Sequence, residues 1–232
     1  MNRTSLVCLP FAGAGASFYH PWSALAGDRL RVIPMQLPGR ERRIDLEPLH
    51  DVTAAVDDLL DQLLGELGDS RRVALFGHSL GAVLAYELAH RLIDLPDLEV
   101  VRLFASGSPD PHTQRSRRAT GLPDEEFLGR VREFAGFSAE ALDDPEMREL
   151  ILPTLRADVQ MHENYVPSVD LPLPAPITAV RGRADELVSS DQAAGWAKVT
   201  SMDFELVEPA GGHMYLTETT GSLVRLIDTT VH

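Results

Sequence analysis

A short apolar strand that turns directly into a helix rich in alanine and leucine constrains this chain more than any other stretch. Residues 73–76 have the length and composition of a buried parallel strand, and residues 82–93 form a helix that is apolar on most faces. Residues 77–81 between them read Gly-His-Ser-Leu-Gly, and the glycines on either side of Ser79 let strand and helix approach closely. The pattern predicts a strained backbone at Ser79, with its hydroxyl exposed at a helix N-terminus that favours negative charge.

Two residues that could activate a serine nucleophile follow predicted strands later in the chain. Asp185 comes just after the strand at 177–180, and His213 comes after the strand at 204–207 and a pair of glycines. Ligands bind where the carboxyl ends of parallel strands meet, so we expect both side chains at that edge of the sheet, beside Ser79. His213 would take the serine proton, and Asp185 would fix the imidazole tautomer.

The order serine, acid, histidine is that of α/β-hydrolases, whose nucleophile elbow carries the G-x-S-x-G motif. The acid has two alternatives: Glu186, which is adjacent to Asp185, and Asp110, which follows the preceding strand. His78 flanks the nucleophile, and we expect its side chain to point away from the pocket. The remaining histidines lie on predicted helices or loops and are interpreted as surface residues.

The loop after the first predicted strand, 5–9, is rich in glycine and alanine. In α/β-hydrolases this loop donates one backbone N–H to the oxyanion, and the residue after the nucleophile donates the other. The predicted donors are therefore Leu80 and either Phe11 or Ala12. A backbone donor needs no particular side chain, so the sequence leaves that choice open.

Strands and helices alternate along most of the chain, with further helices predicted at 17–25 and 53–67 and further strands at 31–37 and 100–105. This alternation predicts an α/β fold: a mostly parallel sheet with helices on both faces, in a single domain spanning residues 1–232. Strand-like runs vanish after Asp110, and two helix starts appear, at 123–126 and 143–146. We interpret residues 110–170, approximately, as a helical lid over the active site.

Composition excludes several classes of partner. The chain has 232 residues and a net charge of −14, which argues against nucleic acid and acidic membrane surfaces as partners. It contains no apolar run long enough to cross a membrane and no secretion signal. Cys8 is the only cysteine, which favours a reducing cytoplasm, and no Cys/His cluster has metal-ligand spacing. We expect no metal, no cofactor and a monomer.

Five motifs spread over nearly the whole chain carry a family resemblance. They read Pro-Phe-Ala-Gly at 10–13, Gln-Leu-Pro-Gly-Arg-Glu at 36–41, Gly-His-Ser-Leu-Gly-Ala at 77–82, Leu-Arg-Ala-Asp at 155–158 and Gly-Gly-His at 211–213. Together they resemble the type II thioesterases that work beside polyketide and nonribosomal peptide synthases. Ser79, Asp185 and His213 match the triad positions of that family. Ala14, Leu80 and the pair Met214-Tyr215 depart from its usual residues, which bears on pocket shape.

The resemblance implies hydrolysis of acyl thioesters on the phosphopantetheine arm of an acyl or peptidyl carrier protein, which removes stalled or misprimed groups. Carrier proteins are acidic, so we expect Arg115, Arg117 and Arg118 to contribute to a basic docking patch. We also expect a free-standing enzyme rather than a release domain of a synthase. The alternatives are a small-molecule carboxylesterase with the same triad and a non-catalytic binding module on the same fold.

Overall fold

A parallel sheet forms the centre of the computed structural model, which describes residues 3–114, 118–135 and 144–232. Within these residues the strands are β1 Thr4–Leu9, β2 Leu30–Pro34, β3 Arg72–His78, β4 Glu99–Ser106, β5 Ile177–Val180 and β6 Phe204–Val207. The strand order is β2-β1-β3-β4-β5-β6, and each neighbouring pair is parallel. The predicted α/β class and its mostly parallel sheet are confirmed.

Helices connect the strands. They are α1 Trp22–Leu25, α2 Val52–Leu67, α3 Leu80–Ile93, α4 Asp124–Ala135, α5 Pro145–Glu163, α6 Ser190–Ala194, α7 Tyr215–Glu218 and α8 Thr220–Thr230, with short 3-10 helices at Ala16–Tyr19, Glu41–Arg43 and Gly195–Val199. The single helix predicted at 17–25 is instead a 3-10 helix and α1, separated at Pro21, because proline cannot donate a helical hydrogen bond. The strand predicted at 31–37 is also shorter and ends at Pro34.

The sheet buries both of its faces. Along β1, Val7 and Leu9 pack into the cluster formed with α2 and α3, whereas Leu6 and Cys8 pack on the opposite face with residues of α1 and α8. Side chains alternate between the two faces of a strand, so a strand covered on both sides is apolar throughout. This arrangement confirms helices on both faces and explains why β1 shows no polar alternation.

Helix α3 is the best-buried helix next to the sheet, and it begins at the nucleophile candidate. Twelve of its residues are buried, including Leu80, Leu84 and Leu88, since β3, β4 and α2 surround it. Burial of each of these leucine side chains stabilises the folded state by about 1.5–3 kcal/mol. The position of Ser79 is therefore fixed by core packing on the helix that follows it.

The described part of the insertion between β4 and β5 contains two helices, as predicted. Helices α4 and α5 share a small apolar cluster that contains Phe127, Leu128, Leu155 and Val159. Ala12, in the loop after β1, packs against this cluster. These two helices therefore lie at the carboxyl edge of the sheet, where the candidate site residues were predicted.

Candidate active site

The turn between β3 and α3 has the geometry of a nucleophile elbow. Ser79 has φ 53° and ψ −115°, a conformation that costs a non-glycine residue about 1–3 kcal/mol. A Cβ on Gly77 would lie 1.8 Å from the carbonyl oxygen of Gly81, and a Cβ on Gly81 would lie 2.5 Å from that of Leu9. Both glycines are therefore required for the strand, the helix and β1 to approach one another. The amide of Ser79 donates to the carbonyl of Ser106 at 2.8 Å, which ties the elbow to the end of β4.

The structure brings His213 and Asp185 together, although the two residues follow different strands. The imidazole Nδ1 lies 2.9 Å from Oδ2 of Asp185, and the two side chains are 9% and 0% exposed. The other carboxylate oxygen, Oδ1, accepts from the amides of Leu187 at 2.8 Å and Val188 at 3.1 Å.

The surroundings of Asp185 keep it ionised. Burial raises the pKa of its carboxyl group, but the hydrogen bond and charge of His213 and the amides of Leu187 and Val188 lower it, and the net pKa lies below its usual value. An ionised carboxylate can only accept, so Nδ1 of His213 carries the proton and Nε2 is left as the basic nitrogen.

Glycines let the loops after β5 and β6 nest against each other. A Cβ on Gly182 would lie 2.1 Å from the carbonyl oxygen of Gly212, and Gly211 has φ 115°, which a residue with a side chain rarely adopts. The amide of Ala184 donates to the carbonyl of Gly211 at 2.8 Å. This nesting holds the loops of Asp185 and His213 side by side.

Sequence reasoning missed Arg181, which holds the backbone of the acid loop. Its side chain is buried, and it donates to the carbonyl oxygens of Val188 at 2.7 Å and Asp185 at 3.0 Å. Its Nη1 also pairs with Glu208 at 2.5 Å. The only sequence signal was an arginine at the end of a buried strand, which by itself predicts no particular partner.

The ring of His78 packs against the imidazole of His213. It is fully buried, and the two ring centroids are 4.7 Å apart with a tilt of 51°. Its Nδ1 bonds to Oγ of Ser106 at 2.9 Å, and that oxygen bonds to the hydroxyl of Tyr215 at 2.7 Å. The prediction that His78 points away from the pocket missed this contact, which brings the residue before Ser79 against His213.

Of the two alternative acids, Asp110 accepts hydrogen bonds within its own turn and Glu186 is exposed. Asp110 accepts from the amide of His112 at 3.1 Å and from the hydroxyl of Thr113 at 2.7 Å, so it stabilises its own turn. The side chain of Glu186 is exposed. Of the three carboxylates weighed from sequence, Asp185 is the one bonded to His213.

Three amides of residues 13–16, in and just after the loop that follows β1, have acceptors. The amide of Ala14 donates to the carbonyl of Phe11 at 2.9 Å, and those of Gly13 and Ala16 donate to the side chains of Asp158 and Gln36 at 2.8 and 2.9 Å. The predicted oxyanion donors at Phe11 and Ala12 are not among these amides. Leu80, the third predicted donor, is the first residue of α3, where amides have no acceptor within the helix.

Two other expectations concern charge and metals. Arg115 and Arg117 lie outside the described residues, whereas Arg118 is half exposed and pairs with Glu163 at 3.7 Å.

Among the described residues there is no cluster of three His, Cys, Asp or Glu side chains arranged to hold a metal ion. In the same parts of the chain, no helix has both the length and the apolar character needed to cross a bilayer.

Comparisons with known proteins identify the family of this chain. The family described as thioesterase domain matches residues 4–231. Gramicidin S biosynthesis protein GrsT of Aneurinibacillus migulanus is 31% identical over 226 residues, which cover 97% of this chain and 88% of that protein.

Two solved structures are also similar over nearly the full length. BorB, the type II thioesterase from the borrelidin biosynthetic cluster, is 32% identical with a TM-score of 0.85, covering 99% of this chain and 91% of that chain. YbtT, the type II thioesterase from the yersiniabactin NRPS/PKS pathway, is 29% identical with a TM-score of 0.86, covering 99% and 93%. This chain, with its elbow serine and paired histidine and aspartate, belongs to the thioesterase domain family, among the type II thioesterases of nonribosomal peptide and polyketide biosynthesis.

Proposed function

We propose that Ser79, His213 and Asp185 are the catalytic triad of this thioesterase, and that its substrates are acyl groups carried on the phosphopantetheine arm of a carrier protein. The observation that carries the triad assignment is the 2.9 Å contact between Nδ1 of His213 and Asp185. The loops that carry these two residues follow β5 and β6 at the same edge of the sheet as the elbow, where Ser79 has a positive φ of 53°.

In the first half of the reaction, Nε2 of His213 takes the proton from Oγ of Ser79 as that oxygen attacks the thioester carbonyl. Asp185 stabilises the imidazolium that forms. The negative charge on the carbonyl oxygen falls between the amide of Leu80 and that of Phe11 or Ala12; a donor of this kind contributes about 2.7–4 kcal/mol to the transition state in analogous sites. The C–S bond then breaks, and His213 returns its proton to the departing thiolate.

In the second half, water attacks the acyl-serine ester. His213 takes a proton from that water and passes it to Oγ of Ser79 as the ester bond breaks. The products are a free acid, a carrier thiol and the original enzyme. A thiolate is a good leaving group, so the first half demands little acid catalysis.

We further propose that residues 1–232 act as one monomeric hydrolase domain in the cytoplasm, and that residues 110–170, approximately, form its lid. The position of α4 and α5 against the loop after β1 supports the lid. A cleft between the start of α3, the loop after β4 and the end of α5 also supports it, because Val83, Pro109 and Tyr165 are among its lining residues.

A carrier protein loaded with short and long acyl groups tests the proposal. Mass spectrometry after incubation is expected to show loss of the acyl mass with the wild-type enzyme and no loss with Ser79→Ala. A nitrophenyl ester serves as the comparison substrate. Faster turnover of the ester than of every acyl carrier would favour the carboxylesterase alternative, and failure of Ser79 to react with a fluorophosphonate probe would favour a non-catalytic module.

A further inference from the structure

A buried ion pair joins the helical insertion to the loop after β2. The guanidinium of Arg40 binds the carboxylate of Asp158 through two parallel contacts of 2.7 Å, Nη1 to Oδ2 and Nη2 to Oδ1. The two side chains are 9% and 1% exposed. These residues belong to the motifs at 36–41 and 155–158, and the triad chemistry uses neither of them.

The same two side chains also hold the turn that contains two of the predicted oxyanion donors. Oδ2 of Asp158 accepts from the amide of Gly13 at 2.8 Å, and Nη1 of Arg40 donates to the carbonyl of Ala14 at 3.0 Å. The turn is closed by the 2.9 Å bond from the amide of Ala14 to the carbonyl of Phe11. The ion pair therefore fixes the peptide group that follows Ala12 and the carbonyl of Ala14, and the amide of Ala14 in turn holds the peptide group that follows Phe11.

Helix α5 has a second hydrogen bond to the loop after β2. Thr154 lies one helical turn before Asp158 and donates from its hydroxyl to the carbonyl of Gly39 at 2.8 Å. This bond seats the helix without touching residues 11–14. Thr154 therefore provides a control that separates seating of the helix from positioning of the turn.

We propose that Asp158, supported by Arg40, is a positioning residue that orients the amide donor of Phe11 or Ala12 towards the oxyanion. One carboxylate then links α5 to the oxyanion hole, so that the donor is oriented only when the helix carrying Asp158 is in place. This inference rests on the proposed triad and oxyanion hole. A buried ion pair is a weak source of net stability because both charges lose their hydration, whereas an oxyanion donor acts only if it lies within about 2.7–3.1 Å of its target.

The test compares Asp158→Ala with Thr154→Val. For each variant, kcat and KM are measured with an acyl thioester of N-acetylcysteamine. The rate at which a fluorophosphonate modifies Ser79 and the melting temperature are measured as well. We expect Asp158→Ala to lower kcat by about 10–100-fold, since complete loss of one oxyanion donor costs about 100–1,000-fold. KM is expected to change by less than about threefold, and the phosphonylation rate to fall in step with kcat. Thr154→Val is expected to keep both rates within about threefold of wild type.

Asp158→Asn serves as the second variant, since it keeps the shape of the side chain and carries the test if the alanine variant does not fold. Its expected loss in kcat is about tenfold, because one amide cannot bind both Arg40 and Gly13 as the carboxylate does. Wild-type kcat in a folded Asp158 variant would overturn the proposal, as would equal losses in the Asp158 and Thr154 variants. Phosphonylation needs no thioester, so it still measures the oxyanion hole if wild-type enzyme proves inactive on thioesters, an outcome that would refute the proposed function alone.

Discussion

The carboxylate of Asp185 binds the imidazole of His213 at 2.9 Å across 28 positions of sequence, with its other oxygen held by two backbone amides. Because Asp185 accepts from its own loop and from His213 at once, its orientation does not depend on solvent. The imidazole is therefore presented in one tautomer before any substrate arrives. This relationship leads to the first two predictions.

Asp185→Asn is expected to lower kcat by about 10⁴-fold, the loss seen when an amide replaces the acid of a serine triad and favours the wrong tautomer. Its steric cost is small, so the fold is expected to persist. Steady-state hydrolysis of an acyl thioester measures the change, and circular dichroism checks the fold. Activity within about tenfold of wild type would mean that another group orients His213.

Acid is expected to remove a contribution of Asp185 to stability. Its pKa is lowered in the folded protein, so the ionised carboxylate stabilises the fold above its unfolded pKa of about 3.9, and this stabilisation is lost as the pH falls through the lower folded value. Urea unfolding of wild type and Asp185→Asn at pH 7 and near pH 3 measures the effect. The difference in the free energy of unfolding should shrink on acidification; a constant difference would contradict the assignment.

Gly77→Ala is expected to destabilise the protein by more than about 3 kcal/mol or to prevent folding, because the new Cβ would lie 1.8 Å from the carbonyl oxygen of Gly81. Gly65→Ala is the matched control. Gly65 is exposed in α2 with nothing within 4 Å of an added Cβ, so its replacement is expected to stabilise by about 0.5–1 kcal/mol. Chemical unfolding of both variants gives the comparison, and similar effects at the two positions would contradict the steric argument.

Reversing the charges of Arg115, Arg117 and Arg118 to glutamate is expected to raise KM for an acyl carrier protein while sparing a small acyl thioester, because only the carrier requires the docking patch. Arg225→Glu is the control, since Arg225 is exposed on α8, which packs on the sheet face opposite α2 and α3. Equal changes for the carrier and the small substrate would refute the docking role. So would an equal rise in KM for the carrier with Arg225→Glu.

Local chemistry accounts for the parts of the fold that sequence reasoning predicted well. The strands at 177–180 and 204–207 have the predicted bounds, because proline and glycine mark their ends. The pattern at 77–81 predicted the elbow, since no other residue fits where Gly77 and Gly81 meet their neighbours. The helix predicted at 17–25 was wrong because its apolar spacing was weighed without Pro21.

Contacts between distant segments carry no such local signal. Arg40 and Asp158 are 118 positions apart and His78 and Ser106 are 28 apart, so nothing near either partner indicates the other. The choice among Asp110, Asp185 and Glu186 was open for the same reason. Each follows or adjoins the end of a strand, and only the path of its loop decides whether its carboxylate can reach His213.

The sequence by itself determined the parallel α/β sheet, the turn at Ser79 and a short set of candidate side chains for the chemistry, because strand length, helix periodicity and the steric demands of glycine act within a few residues. Tertiary structure alone decided that Asp185 pairs with His213, that His78 supports the imidazole, and that Asp158 reaches the turn at 11–14. Those contacts depend on how separate loops pack at one edge of the sheet, and packing is a property of the whole fold.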